Sequence, residues 1–428
     1  MAVIKSEGST STVPYTHISL LSSLGPGLVT GAADDDPSGI ATYSQVGAQF
    51  GYGLAWTMLF SFPLMAVIQA VSARIGCVTG FGIAQNLRRH YPLWLLRAVV
   101  SLLVIANVIN LGADLGAMGA ALGLLIGGQV LLYAVAFGIV CVMLEVFVSY
   151  ARYAALLKWA TLSLFAYVAV VFAAGVDWAP ALYHTLVPSI TFDAPHAMAL
   201  VAVLGTTISP YLFFWQAGQE VEELHRRHVK PLCIAPRDAG PELARIRTDT
   251  IVGMGVSNLI AVFIIFATAA TLNAHGVTQI DTSSQAAEAL RPIAGVFTFA
   301  LFAIGIVATG LLAVPVLAGS AAYGVSELWG WTEGLDRRPK EAKAFYAAIA
   351  VATFGGAALT FSPLDPVRAL YWSAVVNGVL AAPLMAVMMV IAVNPRVMGR
   401  LTLPWPMIVG GWVATAAMLL ATIGFLVL

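Results

Sequence analysis

The sequence predicts an all-α integral membrane protein with about eleven transmembrane helices, and three observations support this fold class. The 428 residues are 60% hydrophobic and 10% charged, with a mean hydropathy of +0.88, whereas soluble proteins carry about a quarter charged residues. Apolar segments long enough to cross a bilayer, about 20 residues each, recur along the chain. Two of these segments are interrupted in a similar way, by small polar residues followed by proline.

The predicted spans follow one another with short connections. We expect the polar segment 1–17 to be a cytoplasmic tail, because it lacks the basic-then-apolar order of a cleaved signal. The spans cover residues 20–46, 53–76, 95–124, 128–149, 154–175, 198–220, 249–272, 293–320, 343–361, 369–393 and 405–427.

Lys and Arg are distributed unevenly among the loops, and this predicts the orientation. The loops 47–52, 125–127, 176–197 and 273–290 contain no Lys or Arg. Because cytoplasmic loops carry the excess of basic residues, we expect a cytoplasmic N-terminus and a C-terminus outside. The basic residues of the intervening loops are Arg88, Arg89, Arg152, Lys158, Arg226, Arg227, Lys230, Arg237, Arg245, Arg247, Arg337, Arg338, Lys340, Lys343, Arg396 and Arg400.

The first span is interrupted by three consecutive acids, Asp34, Asp35 and Asp36, followed by Pro37. Carboxylates at bilayer depth are costly and usually functional, and Pro37 removes a backbone donor, so a continuous helix is not expected. Broken backbone in a membrane is tolerated where it lines a cavity, and freed carbonyls beside carboxylates favour a cation. The alternative is that the acids lie at a helix end among lipid headgroups.

The sixth span has the same pattern, with Gly205 and Pro210 on either side of Thr206, Thr207 and Ser209. The two interruptions lie five spans apart and therefore run in opposite directions across the membrane. This is typical of an inverted repeat with its site at the repeat interface near the midplane. An ordinary proline kink is the alternative for this segment.

Other polar residues lie inside predicted spans. Asp114 is interpreted either as a second ion or proton station or as a structural acid, and Asn377 either reaches the central site or bridges helices. Gln216 is expected to line an exit path, and Glu145 to form a solvated ion pair with Arg152.

Several function classes are disfavoured. Zero net charge gives no indication of nucleic-acid binding, and the absence of a Walker-type loop argues against an ATP-driven pump. No nucleophile elbow or zinc-protease pattern is present, so we expect no enzyme, no catalytic residues and no cofactor. The cysteines are expected to be reduced and structural.

The chain resembles the Nramp divalent-metal transporters over nearly its whole length. Asp36-Pro37-Ser38-Gly39 is similar to that family's Asp-Pro-Gly-Asn motif, and Ser209-Pro210-Tyr211 occupies the place of its Met-Pro-His. Segments 73–92, 113–125 and 245–265 are also similar. The resemblance implies a LeuT-type fold with two inverted five-helix repeats, 18–175 and 198–393, and an additional helix at 405–427.

The departures from the family pattern concern the site. Gly39 stands where the family has a metal-binding Asn, unless Ser38 compensates, and Ser209 stands where it has a metal-binding Met. The second acid of span three is Ala117, and span nine lacks the family's basic residues. These departures resemble the Nramp-related magnesium-transporter branch. The resulting candidate metal ligands are Asp36, Ser209, Thr206, Asp35, Gly39, Ser38 and Asn377, with Asp114, Asp34, Tyr211 and Gln216 as candidates for proton transfer or supporting roles.

Ligand chemistry then predicts the substrate. A soft thioether favours Mn, Fe or Cd, whereas an all-oxygen site suits Mg²⁺ and still admits Mn²⁺. We expect a secondary transporter of Mg²⁺ and/or Mn²⁺ in the inner membrane, with a monomeric transport unit embedded in the bilayer, working by alternating access and without obligatory proton cotransport. The alternatives are a proton-coupled Mn²⁺/Fe²⁺ symporter, an amino-acid/cation symporter of the same fold, and a cation channel.

Overall fold

The structure is a computed structural model that describes residues 25–148, 164–361 and 365–428. The predicted tail 1–17, the first residues of the first span, residues 154–163 of the fifth span, and Arg152 and Lys158 lie outside the described residues. Within the described residues the protein consists of helices and connecting turns, with no β-strand.

The helices are numbered α1 to α18 in chain order. They are α1 Pro26–Asp34, α2 Pro37–Phe50, α3 Trp56–Thr79, α4 Ile83–His90, α5 Leu93–Ile126, α6 Val130–Phe147, α7 Phe165–Ala173, α8 Trp178–Leu186, α9 Ala194–Thr207, α10 Pro210–Arg226, α11 Ala239–Thr271, α12 Ser283–Glu288, α13 Arg291–Ala294, α14 Thr298–Trp329, α15 Lys343–Leu359, α16 Pro366–Val393, α17 Pro395–Met398 and α18 Trp405–Val427.

The helices reproduce the predicted order of spans. Eight of the described helical segments are long and apolar enough to cross a membrane. The remaining three predicted spans correspond to the divided pair α1 and α2, to the segment ending in α7, which is described only in part, and to α15, which has 17 residues. The all-α membrane fold predicted from composition and span length is confirmed.

Both predicted interruptions are real breaks, and proline determines where each helix resumes. α1 ends at Asp34 and α2 begins at Pro37, while α9 ends at Thr207 and α10 begins at Pro210. Proline is well suited to the first helical position, because its missing N–H would have no partner there. The two prolines therefore start the second half of each broken helix.

Glycine lets each broken helix approach a neighbour backbone to backbone. A Cβ on Gly31 of α1 would overlap the carbonyl group of Gly253 on α11, and a Cβ on Gly205 of α9 would overlap the backbone of Gly378 on α16. Small residues at helix interfaces permit this close packing in membrane proteins. The broken helices are thus enclosed by the bundle, whereas α6 and α18 expose large apolar side chains such as Phe147 and Leu420.

The loops meet in the two groups that the distribution of basic residues predicts. At the basic end, Leu232 N–H donates to the Cys77 carbonyl and the Arg74 guanidinium donates to the Leu401 carbonyl. At the opposite end, the Asn273 amide donates to the Ala48 carbonyl at 2.8 Å. Assigning the basic end to the cytoplasm remains a prediction.

Candidate metal site

Asp36 lies at the first break and caps the helix that follows it. Its Oδ1 accepts hydrogen bonds from the Gly39 N–H and the Ser38 hydroxyl, both at 2.7 Å. A carboxylate at this position satisfies a free N–H of the first helical turn and interacts favourably with the positive end of the helix dipole. These local contacts fix the carboxylate, which is 1% exposed, and leave Oδ2 to face the interior of the bundle.

The second oxygen of Asp36 belongs to a buried network that joins three other helices. Asn110 Nδ2 on α5 donates to Asp36 Oδ2 at 3.0 Å and to Asp114 Oδ2 at 3.4 Å. The Tyr211 hydroxyl donates to the Ala33 carbonyl at 2.9 Å and lies 3.4 Å from Asp36 Oδ2. Asn377 Nδ2 on α16 is 3.3 Å from Asn110 Oδ1. The structure therefore brings Asp36, Asp114, Tyr211 and Asn377 together.

Asn110 is the residue of this network that sequence reasoning missed. It lies four residues before Asp114 on α5, and residues with this spacing share one face of a helix. That spacing was the available signal, since a polar face in an otherwise apolar span indicates a position facing the site.

The second break contributes hydroxyl groups without charge. The Ser209 hydroxyl donates to the carbonyls of Gly205 and Thr206, at 2.8 and 3.0 Å, and so closes the last turn of α9. The Thr206 hydroxyl is buried beside that of Tyr43, and neither makes a hydrogen bond of normal geometry within the described residues. The hydroxyl oxygens of Thr206 and Ser209 therefore keep lone pairs that are available to a ligand.

Gly39 is where the two breaks meet. A Cβ at this position would lie 3.2 Å from both the Asp34 carbonyl oxygen and Thr206 Oγ1, which is tighter than ordinary contact. Its own N–H is bonded to Asp36. The structure therefore gives Gly39 a spacing role between the breaks.

Asp34 and Asp35 are directed to a different partner. The Ser257 hydroxyl on α11 lies 2.6 Å from Asp34 Oδ2 and 3.1 Å from Asp35 Oδ1. Both acids are buried, with 1% and 2% of their surface exposed. The acidic triplet thus divides between two neighbours, and Asp35 contacts Ser257 rather than the network around Asp36.

Gln216 lies on a polar path that leads from the breaks towards the basic end. Its Oε1 accepts a hydrogen bond from the Thr30 hydroxyl of α1, and its Nε2 donates to Glu220 at 3.2 Å. Glu220 in turn forms an ion pair with Arg245 at 2.6 Å. Arg245 also contacts Glu242 at 3.0 Å. This path is closed by α1, α10 and α11.

A cavity of about 500 Å³ opens at the opposite end, between α2, α9 and α16. It reaches Ala41, which is five residues beyond Asp36 on α2, and Gln45 lines its wall. Gln45 Oε1 accepts from the Ile280 N–H at 2.9 Å, and Arg368 pairs with Asp281 at 2.7 Å across the entrance. Because the site side chains are at most 2% exposed, the site is enclosed from both ends.

Glu145 is not in the environment that the sequence suggested. Its side chain is buried on the inner face of α6, and neither carboxylate oxygen has a hydrogen-bond partner among the described residues. The expectation of a solvated carboxylate is wrong, because packing of α6 on the bundle covers this position; Arg152 lies outside the described residues. No group of three or more His, Cys, Asp and Glu side chains that could hold a metal is found in the described part of the chain.

The chemistry of the site follows from its donors. Asp36 carries one carboxylate, Thr206 and Ser209 carry hydroxyl oxygens, and Asn377 carries an amide oxygen. Asn110 turns its amide nitrogen towards Asp36 and accepts from Asn377 through Oδ1. Oxygen ligands suit hard divalent cations such as Mg²⁺ and Mn²⁺. Among the described residues, the side chains that hydrogen-bond to Asp36 carry hydroxyl or amide groups and no thioether sulfur.

Comparison with known proteins identifies relatives of this chain. The family model described as "Natural resistance-associated macrophage protein-like" matches residues 27–428. A relative from Verminephrobacter eiseniae, "Divalent metal cation transporter MntH", is 26% identical over 306 residues, which is 68% of this chain and 65% of the relative. The matched part of this chain thus spans slightly less than two thirds of that relative.

Solved structures show the same fold. The Eremococcus coleocola manganese transporter, in complex with an aromatic bis-isothiourea compound, matches with a TM-score of 0.75 and 16% identity, covering 97% of this chain and 89% of that one. Mhp1, a nucleobase-cation-symport-1 family transporter, matches with a TM-score of 0.56 and 16% identity, covering 94% and 92%. The predicted LeuT-type fold is confirmed. The chain belongs to the Nramp family, whose members are membrane transporters and not enzymes.

Proposed function

We propose that the protein is a secondary transporter that carries divalent metal cations through the membrane by alternating access. The observation that supports this most strongly is the buried carboxylate of Asp36, held at the junction of two helix breaks that run in opposite directions. In transporters with such breaks, half-helix ends and freed carbonyls bind the substrate near the midplane. The names of the similar proteins agree with this proposal, since they describe a divalent metal cation transporter and a manganese transporter.

The oxygen ligands of the site indicate which cations the protein would transport. Mn²⁺ is the first substrate we propose, because it is the metal named for the structurally similar transporter and accepts oxygen ligands. We further propose that Mg²⁺ competes for the site, because Ser209 replaces a thioether by a hydroxyl and the ligand set no longer favours soft ions. In this account Asp36, Ser209, Thr206, Asn377 and Ser38 surround the cation. Asp35 and Asp34 add negative charge from the side of α11.

Alternating access requires an element that moves, and α1 is the candidate. Its N-terminal N–H groups are held by Asp249 of α11, which accepts from Gly25, Gly27 and Leu28 at 2.9, 2.7 and 3.1 Å. Releasing these contacts and the link from Thr30 to Gln216 would open the polar path from the breaks to the basic end. The cavity beside Ala41 then represents the route to the other side.

We propose that the membrane potential is sufficient to drive uptake without obligatory proton cotransport. A potential of 100 mV supplies about 2.3 kcal/mol per charge, and so about twice that for a divalent ion. α15 has no basic residue after Lys343 at its start, so the family's basic residues in this span have no counterpart. Asp114 and Glu145 are the buried acids through which the alternative, a proton-coupled Mn²⁺/Fe²⁺ symporter, would operate.

An amino-acid symporter of the same fold is disfavoured by charge. The first break carries three carboxylates, and these would repel a substrate carboxylate at short range.

We propose an inner-membrane protein that works as a monomeric transport unit, with the basic end in the cytoplasm.

The test is uptake into liposomes that contain the purified protein, a pH-sensitive dye and a potassium-set potential, scanned over Mn²⁺, Mg²⁺, Ca²⁺ and Cd²⁺. We expect saturable Mn²⁺ uptake, competition by Mg²⁺, and no acidification that tracks metal entry. Amino-acid uptake without metal uptake would contradict the proposed function. Acidification that requires Asp36 would establish the proton-coupled alternative.

A further inference from the structure

A groove lies on the outer surface of the bundle at its basic end, away from the candidate metal site. It has a volume of about 290 Å³ and is formed by α3, the first turns of α11 and the start of α18. Its walls are mainly apolar, with Ala70, Leu243, Pro404 and Met407, and two arginines, Arg74 and Arg247, also line it.

Neither arginine is neutralised by a carboxylate within the described residues. Arg74 donates through Nε and Nη2 to the Leu401 carbonyl and through Nη2 to the Thr402 carbonyl at 3.0 Å, which leaves Nη1 unbonded. Arg247 is exposed and forms neither a hydrogen bond nor an ion pair in the described part of the chain. By contrast, Arg245, two residues earlier, is paired with both Glu220 and Glu242.

The position of the groove fits the headgroup layer of the bilayer. α11 has 33 residues and so is about 50 Å long, whereas a hydrocarbon core is about 30 Å thick. The first turns of α11, which carry Arg247, therefore extend beyond the core. One turn deeper, on the same face, Ile251 is 45% exposed, and this offers an apolar surface to an acyl chain.

We propose that this groove binds the headgroup of an anionic phospholipid, with Arg74 and Arg247 holding its phosphate. Guanidinium groups bind phosphate oxygens with paired N–H donors, and basic pockets between transmembrane helices on the cytoplasmic side are typical lipid headgroup sites. The apolar walls and the exposed Ile251 favour a lipid over a free phosphate ion. Because Arg74 links α3 to the connection before α18, the bound lipid stabilises the packing of α18 on the bundle.

The experiment measures the melting temperature of the purified full-length protein in detergent. Phosphatidylglycerol, phosphatidylcholine and inorganic phosphate are added separately at equal concentration. A ligand that binds the folded state raises the melting temperature, and we expect phosphatidylglycerol to raise it by about 3 °C or more, with little effect of the other two. Native mass spectrometry should show one retained phosphatidylglycerol.

The critical variant is Arg247→Gln, which removes an exposed side chain that has no hydrogen-bond or ion-pair partner in the described part of the chain and should fold normally. We expect it to lose at least half of the shift caused by phosphatidylglycerol. The matched control is Arg237→Gln, another exposed arginine that lies outside the groove, which should keep the full shift. If both variants lose the same part of the phosphatidylglycerol shift, general surface charge and not the proposed site accounts for binding. Equal shifts with inorganic phosphate or phosphatidylcholine would also overturn the proposal.

Discussion

The two helix breaks are similar in backbone geometry but differ in charge, since the first carries carboxylates and the second only neutral hydroxyl groups. At the first break Asp36 presents a carboxylate held by Ser38, Gly39 and Asn110. At the second break Ser209 and Thr206 present hydroxyl groups, and Ser209 satisfies its own donor within the turn. The site therefore obtains its negative charge from one repeat and neutral oxygens from the other. We expect the first break to determine whether a cation binds and the second to determine which cation is preferred.

The starts of the two broken helices also differ. The N-terminus of α1 is held by Asp249 of α11, more than 220 residues away in sequence. The N-terminus of α9 is capped locally, because Asp193 accepts from the His196 N–H at 2.8 Å. The position of α1 thus depends on a tertiary contact, whereas the cap of α9 stays with its helix. This difference favours α1 as the element that moves at the basic end.

The largest effect is expected from Asp36→Asn compared with Ser209→Ala. Removing the charged ligand should lower the Mn²⁺ uptake rate in liposomes at least about 100-fold, equivalent to about 2.7 kcal/mol, because the amide cannot neutralise the cation. Ser209→Ala should stay within about 5-fold of wild type, since it removes one neutral oxygen. The melting temperatures of wild type and both variants, measured in parallel, serve as the control for correct folding. If both variants lose the same fraction of Mn²⁺ uptake, the proposal that the first break determines binding and the second determines selectivity is wrong.

The next effect concerns Asn110, which links Asp36 to Asp114. Asn110→Ala should raise the KM for Mn²⁺ about 10-fold, because a hydrogen bond to a charged group contributes about 1.5–3 kcal/mol. Asn107→Ala is the matched control, since that amide lies on the same helix and donates to the Leu317 carbonyl at 2.9 Å. If both substitutions change KM alike, Asn110 acts through helix packing and not through the site.

Ser209→Met tests whether the second break sets the preference between cations. Adding a soft thioether should raise Cd²⁺ or Mn²⁺ uptake about 5-fold relative to Mg²⁺, measured by competition between the metals in one preparation. A wild-type protein that already binds Cd²⁺ much more tightly than Mg²⁺ would show that the oxygen-ligand argument is wrong.

The smallest effect is expected at the anchor of α1. Asp249→Asn should change the maximal uptake rate about 3-fold and leave KM unaltered, because the substitution weakens hydrogen bonds to a helix N-terminus that are worth about 1 kcal/mol. Asp193→Asn alters the cap of α9 in a comparable way and should leave both constants within 2-fold of wild type. A larger effect at Asp193 would reverse the assignment of the moving element.

The breaks could be predicted from the sequence because Pro37 and Pro210 mark the first turn of a helix, so the end of the preceding one is fixed within a few residues. The directions of the side chains at the breaks could not be predicted from the sequence. Asp34 and Asp35 contact Ser257 while Asp36 faces Asn110, and this division depends on the non-helical backbone between Asp34 and Pro37. The sequence predicts a solvated Glu145 because this residue is close to a span end, whereas its burial results from packing of α6 on the bundle.

The most direct test is to locate Mn²⁺ in an experimental structure by its anomalous scattering. The account predicts a peak within about 2.0–2.6 Å of a carboxylate oxygen of Asp36, on the side facing Thr206 and Ser209, and its loss in Asp36→Asn. A peak between Asp34, Asp35 and Ser257 that persists in Asp36→Asn would contradict it.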